Sequence, residues 1–125
     1  MCPDWKNNKY FCKNKVVTRV EKVAEGLDNF LSVMGFEREG DFYRVRKSND
    51  ATIVIAGHGG SSSAVLAHLF HLTFPFVCAT IRPECTGITI VNLSGEEGAL
   101  AMPKFEILND ARHIAGICEE NVFDN

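Results

Sequence analysis

The chain has 125 residues, 46% hydrophobic and 23% charged, which suits one soluble domain with a modest core, and nothing in it suggests a second. Its formal charge of −3 excludes the clustered excess of Lys and Arg that a phosphate backbone calls for, so a small molecule or another protein is the expected partner and nucleic acid is not. Five cysteines, Cys2, Cys12, Cys78, Cys85 and Cys118, form no Cys-x-x-Cys pair, and no secretory signal opens the sequence, so a reducing cytoplasm is expected.

Residues 1–13 read as an irregular lead-in anchored by Trp5, Tyr10 and Phe11, with Asn14 placed to cap the helix that follows. Val16, Val20, Val23, Leu27, Phe30 and Met34 recur at three- and four-residue steps, which predicts an amphipathic helix over Lys15 to Met34, closed by Gly35 in a left-handed cap. Phe36 to Arg46, turning at Glu39-Gly40-Asp41, reads as a small hairpin. Ala51 to Ala56 is a short apolar run rich in β-branched residues, the pattern of a buried central parallel strand. A helix from about Ser62 to Leu72 follows, and Pro75 is expected to break the chain after it. Phe76 to Ile81, Thr86 to Leu93 and Lys104 to Leu108 read as strands and Ser94 to Gly98 as a turn. Asn109 or Asp110 is placed to cap a closing helical turn, and residues 117–125 form a tail. The longest apolar stretch, Leu69 to Ile81, is interrupted by His71 and Pro75 and is too short to span a bilayer, so no membrane association is expected.

The chemistry gathers at Gly57-His58-Gly59-Gly60-Ser61. A histidine at the carboxyl end of a strand, followed by glycines that open into a helix, places an imidazole beside unpaired N–H groups and the positive end of a helix dipole. That is the outline of an anion site, with His58 as the contacting side chain and Gly59 and Ser61 assisting. Other polar clusters read more plainly. His68 and His71 with Cys78 and Cys85 match no standard zinc spacing, so no metal is expected and His68 is read as a helix-packing residue. Asp110, Arg112 and His113 are read as a capped turn, and the pairs Glu37/Glu39 and Glu96/Glu97 as solvated loop carboxylates. A strand followed by His-Gly-Gly also fits the oxyanion loop of an α/β-hydrolase, but the Gly-x-Ser-x-Gly elbow which that fold needs downstream does not occur.

The ordered set of apolar run, His58-Gly59-Gly60, Ala67-His68-Leu69, Thr86-Gly87-Ile88-Thr89-Ile90-Val91 and Leu108-Asn109-Asp110-Ala111-Arg112-His113-Ile114 resembles the C-terminal part of the histidine phosphatases, the phosphoglycerate-mutase-like superfamily. Trp5, Tyr10-Phe11 and Gly35 to Gly40 extend the resemblance over nearly the whole chain. It implies an α/β fold, part of a three-layer sandwich whose mixed, mostly parallel sheet is flanked by helices. It also implies a phosphohistidine mechanism on a small phosphate ester, with no cofactor, in which His58 matches the histidine that binds and stabilises the transferring phosphoryl group.

The family's nucleophile lies in an Arg-His-Gly motif, and this sequence contains none. The acid/base carboxylate and the first motif's phosphate-binding arginine have no counterpart either. The expectation is therefore a C-terminal half, inactive alone as a phosphoric monoester hydrolase or phosphomutase, that binds a phosphorylated substrate or inorganic phosphate. The alternative is a non-catalytic remnant that keeps phosphate binding or a protein-interaction role. In the family the missing first strand lies beside the one matched by Ala51 to Ala56. Its loss is expected to leave an open sheet edge at Ile53 to Ala56, available to a second copy or to an N-terminal fragment.

Overall fold

A long amphipathic helix, α1 (Val16–Val33), organises one end of the molecule, because its apolar stripe needs a surface to cover it. The computed structural model describes residues 3–8, 15–84 and 86–114. The expected cap Asn14 lies outside them, as do Tyr10, Phe11, Cys2, Cys12, Cys85, Cys118 and the tail; Lys15 holds the N-cap position without a side-chain bond. Within the expected lead-in, Pro3–Asn7 forms a short 3-10 turn, and the Trp5 ring lies 5.8 Å from that of Phe74.

Gly35 ends α1 as its sequence position predicts. Its φ is +100°, and its carbonyl accepts the N–H of Arg46 at 2.8 Å. A Cβ at this position would sit 2.5 Å from the Lys47 carbonyl oxygen, so only glycine fits. The turn feeds the predicted hairpin, β1 (Phe36–Glu39) and β2 (Phe42–Val45), which pair antiparallel with Phe36 opposite Val45. A two-residue strand, β4 (Leu100–Ala101), adds to β2, also antiparallel. Leu27 and Leu31 of α1, Phe36, Tyr43 and Val45 of the hairpin, and Leu69 and Ala101 close over one another as the main core.

The second half of the fold is built on α2 (Gly59–Leu69) and α3 (Phe74–Thr80). Leu66 and Ala67 pack on Val77, and Val91 and Phe70 flank them. Strands β3 (Ile88–Asn92) and β5 (Lys104–Asp110) form a separate antiparallel ladder with irregular register between Ile88 and Val91. The Phe70 ring stacks on that of Phe105 at 3.9 Å, which ties α2 to this ladder.

The architecture is mixed α/β, as expected, but three expectations are corrected. First, every strand pairing among the described residues is antiparallel, so no mostly parallel sheet forms. Second, Ala51 to Ala56 is not a central strand: the run carries neither helix nor strand, and all of Ala51 to His58 is exposed. A strand exists only through a ladder partner, and none of the described strands runs beside this segment. The open sheet edge expected there is thus a lone segment with no sheet behind it. Third, Phe76 to Ile81 is helical rather than extended. Pro75 stands in the first turn of α3, where its missing N–H costs nothing, and the Thr73 hydroxyl caps the helix by accepting from the Phe76 N–H at 3.3 Å. The break forced by Pro75 is therefore a helix start. Among the described residues no single helix is long and apolar enough to cross a membrane; α2 and α3 reach that measure only together, across a 119° bend.

Candidate functional site

His58 occupies the N-cap position of α2, with extended backbone at φ −106° and ψ 169°. The helix begins three residues earlier than its sequence periodicity suggests, because the glycines join it. Gly59, Gly60 and Ser61 therefore form the first turn, whose N–H groups have no acceptor inside the helix. The His58 residue is exposed, so its imidazole is accessible at the positive end of the helix dipole. Histidine and helix start stand together, as the sequence implies, although no strand delivers them.

Ser61 has a further role. Its hydroxyl accepts the His58 N–H at 3.0 Å and donates to the His58 carbonyl at 3.0 Å, while its backbone N–H donates to the His58 side chain, so the two residues cap the helix reciprocally. Gly57 lies against the same hydroxyl: a Cβ on it would come within 2.8 Å of Ser61 Oγ. Ser63, buried one step further along, donates to the Gly59 carbonyl at 2.7 Å and stiffens the turn.

Beside Gly59 and Gly60 opens a shallow cavity of about 290 Å³, lined also by Cys78, Arg82 and Glu84. His58 does not line it; the imidazole stands at the helix tip next to it. Arg82 brings a cation and Glu84 an anion to the same rim. The sequence offers no motif that picks out Arg82, because its position depends on α3 replacing the predicted strand and on a backbone φ of +49° after it.

Asn109 shapes that rim. Its side chain accepts the Glu84 N–H at 2.8 Å and donates to the carbonyls of Ile81 at 3.0 Å and Arg82 at 3.1 Å, while its own N–H donates to Thr89 Oγ1 at 3.0 Å. Its φ of +52° is one that asparagine tolerates better than most residues. Gly87 is packed against the clamp, since a Cβ there would stand 2.9 Å from Asn109 Oδ1 and 3.0 Å from the Glu84 carbonyl. Asp110 then caps the last turn as expected, accepting from the Arg112 N–H at 3.0 Å. Its carboxyl is held down at about 2 by the hydrogen bonds from Arg112.

The other sequence candidates separate from the site. His68 Nε2 donates to Asp28 Oδ2 at 2.8 Å, and Asp28 Oδ1 accepts the Tyr43 hydroxyl at 2.9 Å. Arg38 completes this group by donating to the Tyr43 hydroxyl at 3.2 Å and to the His68 carbonyl at 2.9 Å. The four residues tie α1, the hairpin and α2 together, so His68 is a packing residue. His71 pairs instead with Asp41 at 2.9 Å on the surface. Among the described residues no three His, Cys, Asp or Glu side chains could hold a metal ion. Set against protein-family models, curated proteins and solved structures, the chain matches none of them.

Proposed function

We propose that this chain is the C-terminal half of a histidine phosphatase of the phosphoglycerate-mutase-like kind, and that it binds the phosphoryl group of a small phosphate ester at the start of α2. The supporting observation is the juxtaposition at His58: an exposed imidazole at the N-cap, followed directly by the first-turn N–H groups of Gly59 and Gly60, which have no acceptor inside the helix. Backbone donors and a helix dipole stabilise a dianion, and the imidazole adds a side-chain N–H donor beside them. Ser61 assists by fixing the cap: its hydroxyl holds the His58 backbone and its N–H donates to the His58 side chain. With no Arg-His-Gly in the sequence, the phosphoryl-accepting histidine comes from a complementing N-terminal part, and the chain alone does not turn over phosphate esters.

Titration with inorganic phosphate, followed by amide chemical shifts, tests the site. Saturable shifts at Gly59 to Ser62 that are lost in His58→Ala are the expected result; silence at those four amides refutes it. Steady hydrolysis of a phosphate monoester by the isolated chain, abolished in His58→Ala, would refute the division of labour. The absence of a nucleophile motif also supports a second reading, a non-catalytic remnant that retains the anion site. It is distinguished by phosphate binding that persists while no N-terminal part restores turnover.

A further inference from the structure

A different part of the molecule carries an inference independent of phosphate binding. Val54 is 89% exposed, Ile55 63% and Ile53 41%, three β-branched side chains in a row on a segment that belongs to no sheet. Among the described residues nothing hydrogen-bonds the backbone of Thr52 to Gly57. Beneath the segment runs an apolar groove of about 520 Å³, floored by Val23, Leu27 and Phe30 of α1 and by Val65 of α2. The α1 stripe read from the sequence is thus only half used: Leu27 is buried, while Phe30 stays 42% exposed along this groove.

We propose that Thr52 to Ala56 pairs antiparallel with the same segment of a second copy of this chain, about a two-fold axis through Val54. Two features select a second copy over another partner. Antiparallel pairing about a two-fold axis perpendicular to the sheet sets Val54 opposite Val54, Ile53 opposite Ile55 and Thr52 opposite Ala56, so the central Ile-Val-Ile matches itself on reversal and the small Ala56 meets Thr52. Charge selects in the same direction. From Ala51 to Ile81 the sequence contains no Asp, Glu, Lys or Arg, so two copies meet neutral against neutral despite their net charge, and the charged residues that ordinarily block edge pairing are missing. A charged partner strand would find no complement here.

Pairing about Val54 sets the exposed Val54 side chains of the two copies against each other, and the ladder supplies partners to backbone groups that have none among the described residues. Ile53 and Ile55 share one face, and by the symmetry both copies turn that face to the same side, so the two α1 grooves join into one apolar floor.

Analytical ultracentrifugation of the full chain is expected to show a reversible monomer–dimer equilibrium. Val54→Lys sets two like charges at the axis and is expected to raise the dimer Kd by about tenfold or more, whereas Met102→Lys, at an exposed apolar residue elsewhere, leaves it unchanged. Register is read separately. Val54→Cys is expected to form a covalent dimer under mild oxidation, because directly opposed Cα atoms lie about 4.5–5.5 Å apart, within disulfide reach. Ile53→Cys and the unsubstituted chain, with its natural cysteines, are expected to cross-link far less. A monomer at all concentrations, a dimer indifferent to Val54→Lys, or equal cross-linking at 53 and 54 would each overturn the proposal. Because mass and cross-linking are read without phosphate, failure here leaves the amide-shift test of His58 unaffected.

Discussion

Replacing Tyr43 by phenylalanine removes one oxygen atom from the centre of the structure and leaves the packing volume almost unchanged. The Tyr43 side chain has no exposed surface, and its hydroxyl both donates to Asp28 at 2.9 Å and accepts from Arg38 at 3.2 Å. A hydrogen bond to a charged group contributes about 1.5–3 kcal/mol net. The lower end applies here, because neither charged partner is orphaned by the change. Asp28, 26% exposed, keeps His68 at 2.8 Å, and Arg38 keeps the carbonyls of His68 at 2.9 Å and Gly40 at 2.7 Å. The expected cost is therefore about 1.5 kcal/mol, read as a lower urea midpoint with an unchanged m-value and a fall in Tm of roughly 5 °C. Asp28→Asn in the same cycle is expected to couple to Tyr43→Phe, since both act on one bond. A loss below about 0.3 kcal/mol, within the range of an ordinary surface substitution, or additivity of the two changes, would show that the group does not hold α1, the hairpin and α2 together.

The same burial pushes the Tyr43 hydroxyl up to about 12, with the Asp28 bond adding to the rise and the Arg38 bond opposing it. The folded state thus holds its proton where the unfolded chain has lost it, so stability is full below pH 10 and falls as pH rises toward 12, a slope that Tyr43→Phe is expected to flatten in denaturation measured across that window. Asp110 behaves in the opposite sense: its carboxyl, depressed to about 2 by Arg112, is expected to titrate near that value by NMR and to return toward the ordinary carboxylate range in Arg112→Ala. The associated stability is present above the unfolded value and lost as pH falls through the folded one. Asn109→Ala removes three side-chain bonds from the turn at Ile81 to Glu84 and is expected to cost about 2–3 kcal/mol and to broaden the amide signals of Arg82 and Glu84; an unaltered spectrum there would refute the clamp. Gly35→Ala, at φ +100° and against Lys47, is expected to destabilise by about 2 kcal/mol or more in thermal denaturation.

How legible each element was follows from where its determinants lie. The residues of α1 carry their own periodicity and stop signal, so Val16–Val33 and Gly35 were readable, as was the hairpin turning at Gly40. His58, Gly59 and Gly60 were readable as neighbours at a helix start, because a cap and a first turn are local. Ala51 to Ala56 was not, since an apolar β-branched run becomes a strand only when another strand lies beside it, and that partner is not a local property. At Phe76 to Ile81 the determinant is present in the sequence, since Thr73 two residues before Pro75 is a helix-start signature, but the run of Phe, Val and Ile carries the opposite, strand-like signal. Arg82 and the role of Asn109 lay beyond local signals altogether, because the clamp joins residues 25 to 28 positions apart.

That separation orders events during synthesis. Residues of α1 and the hairpin can meet as soon as they leave the ribosome, but the bend carrying Arg82 gains its fixed shape only when Asn109 has been translated and β5 has docked. A nascent polypeptide halted before that asparagine would carry a formed His58 tip with an unfastened neighbour, so completion of the rim waits on that one side chain.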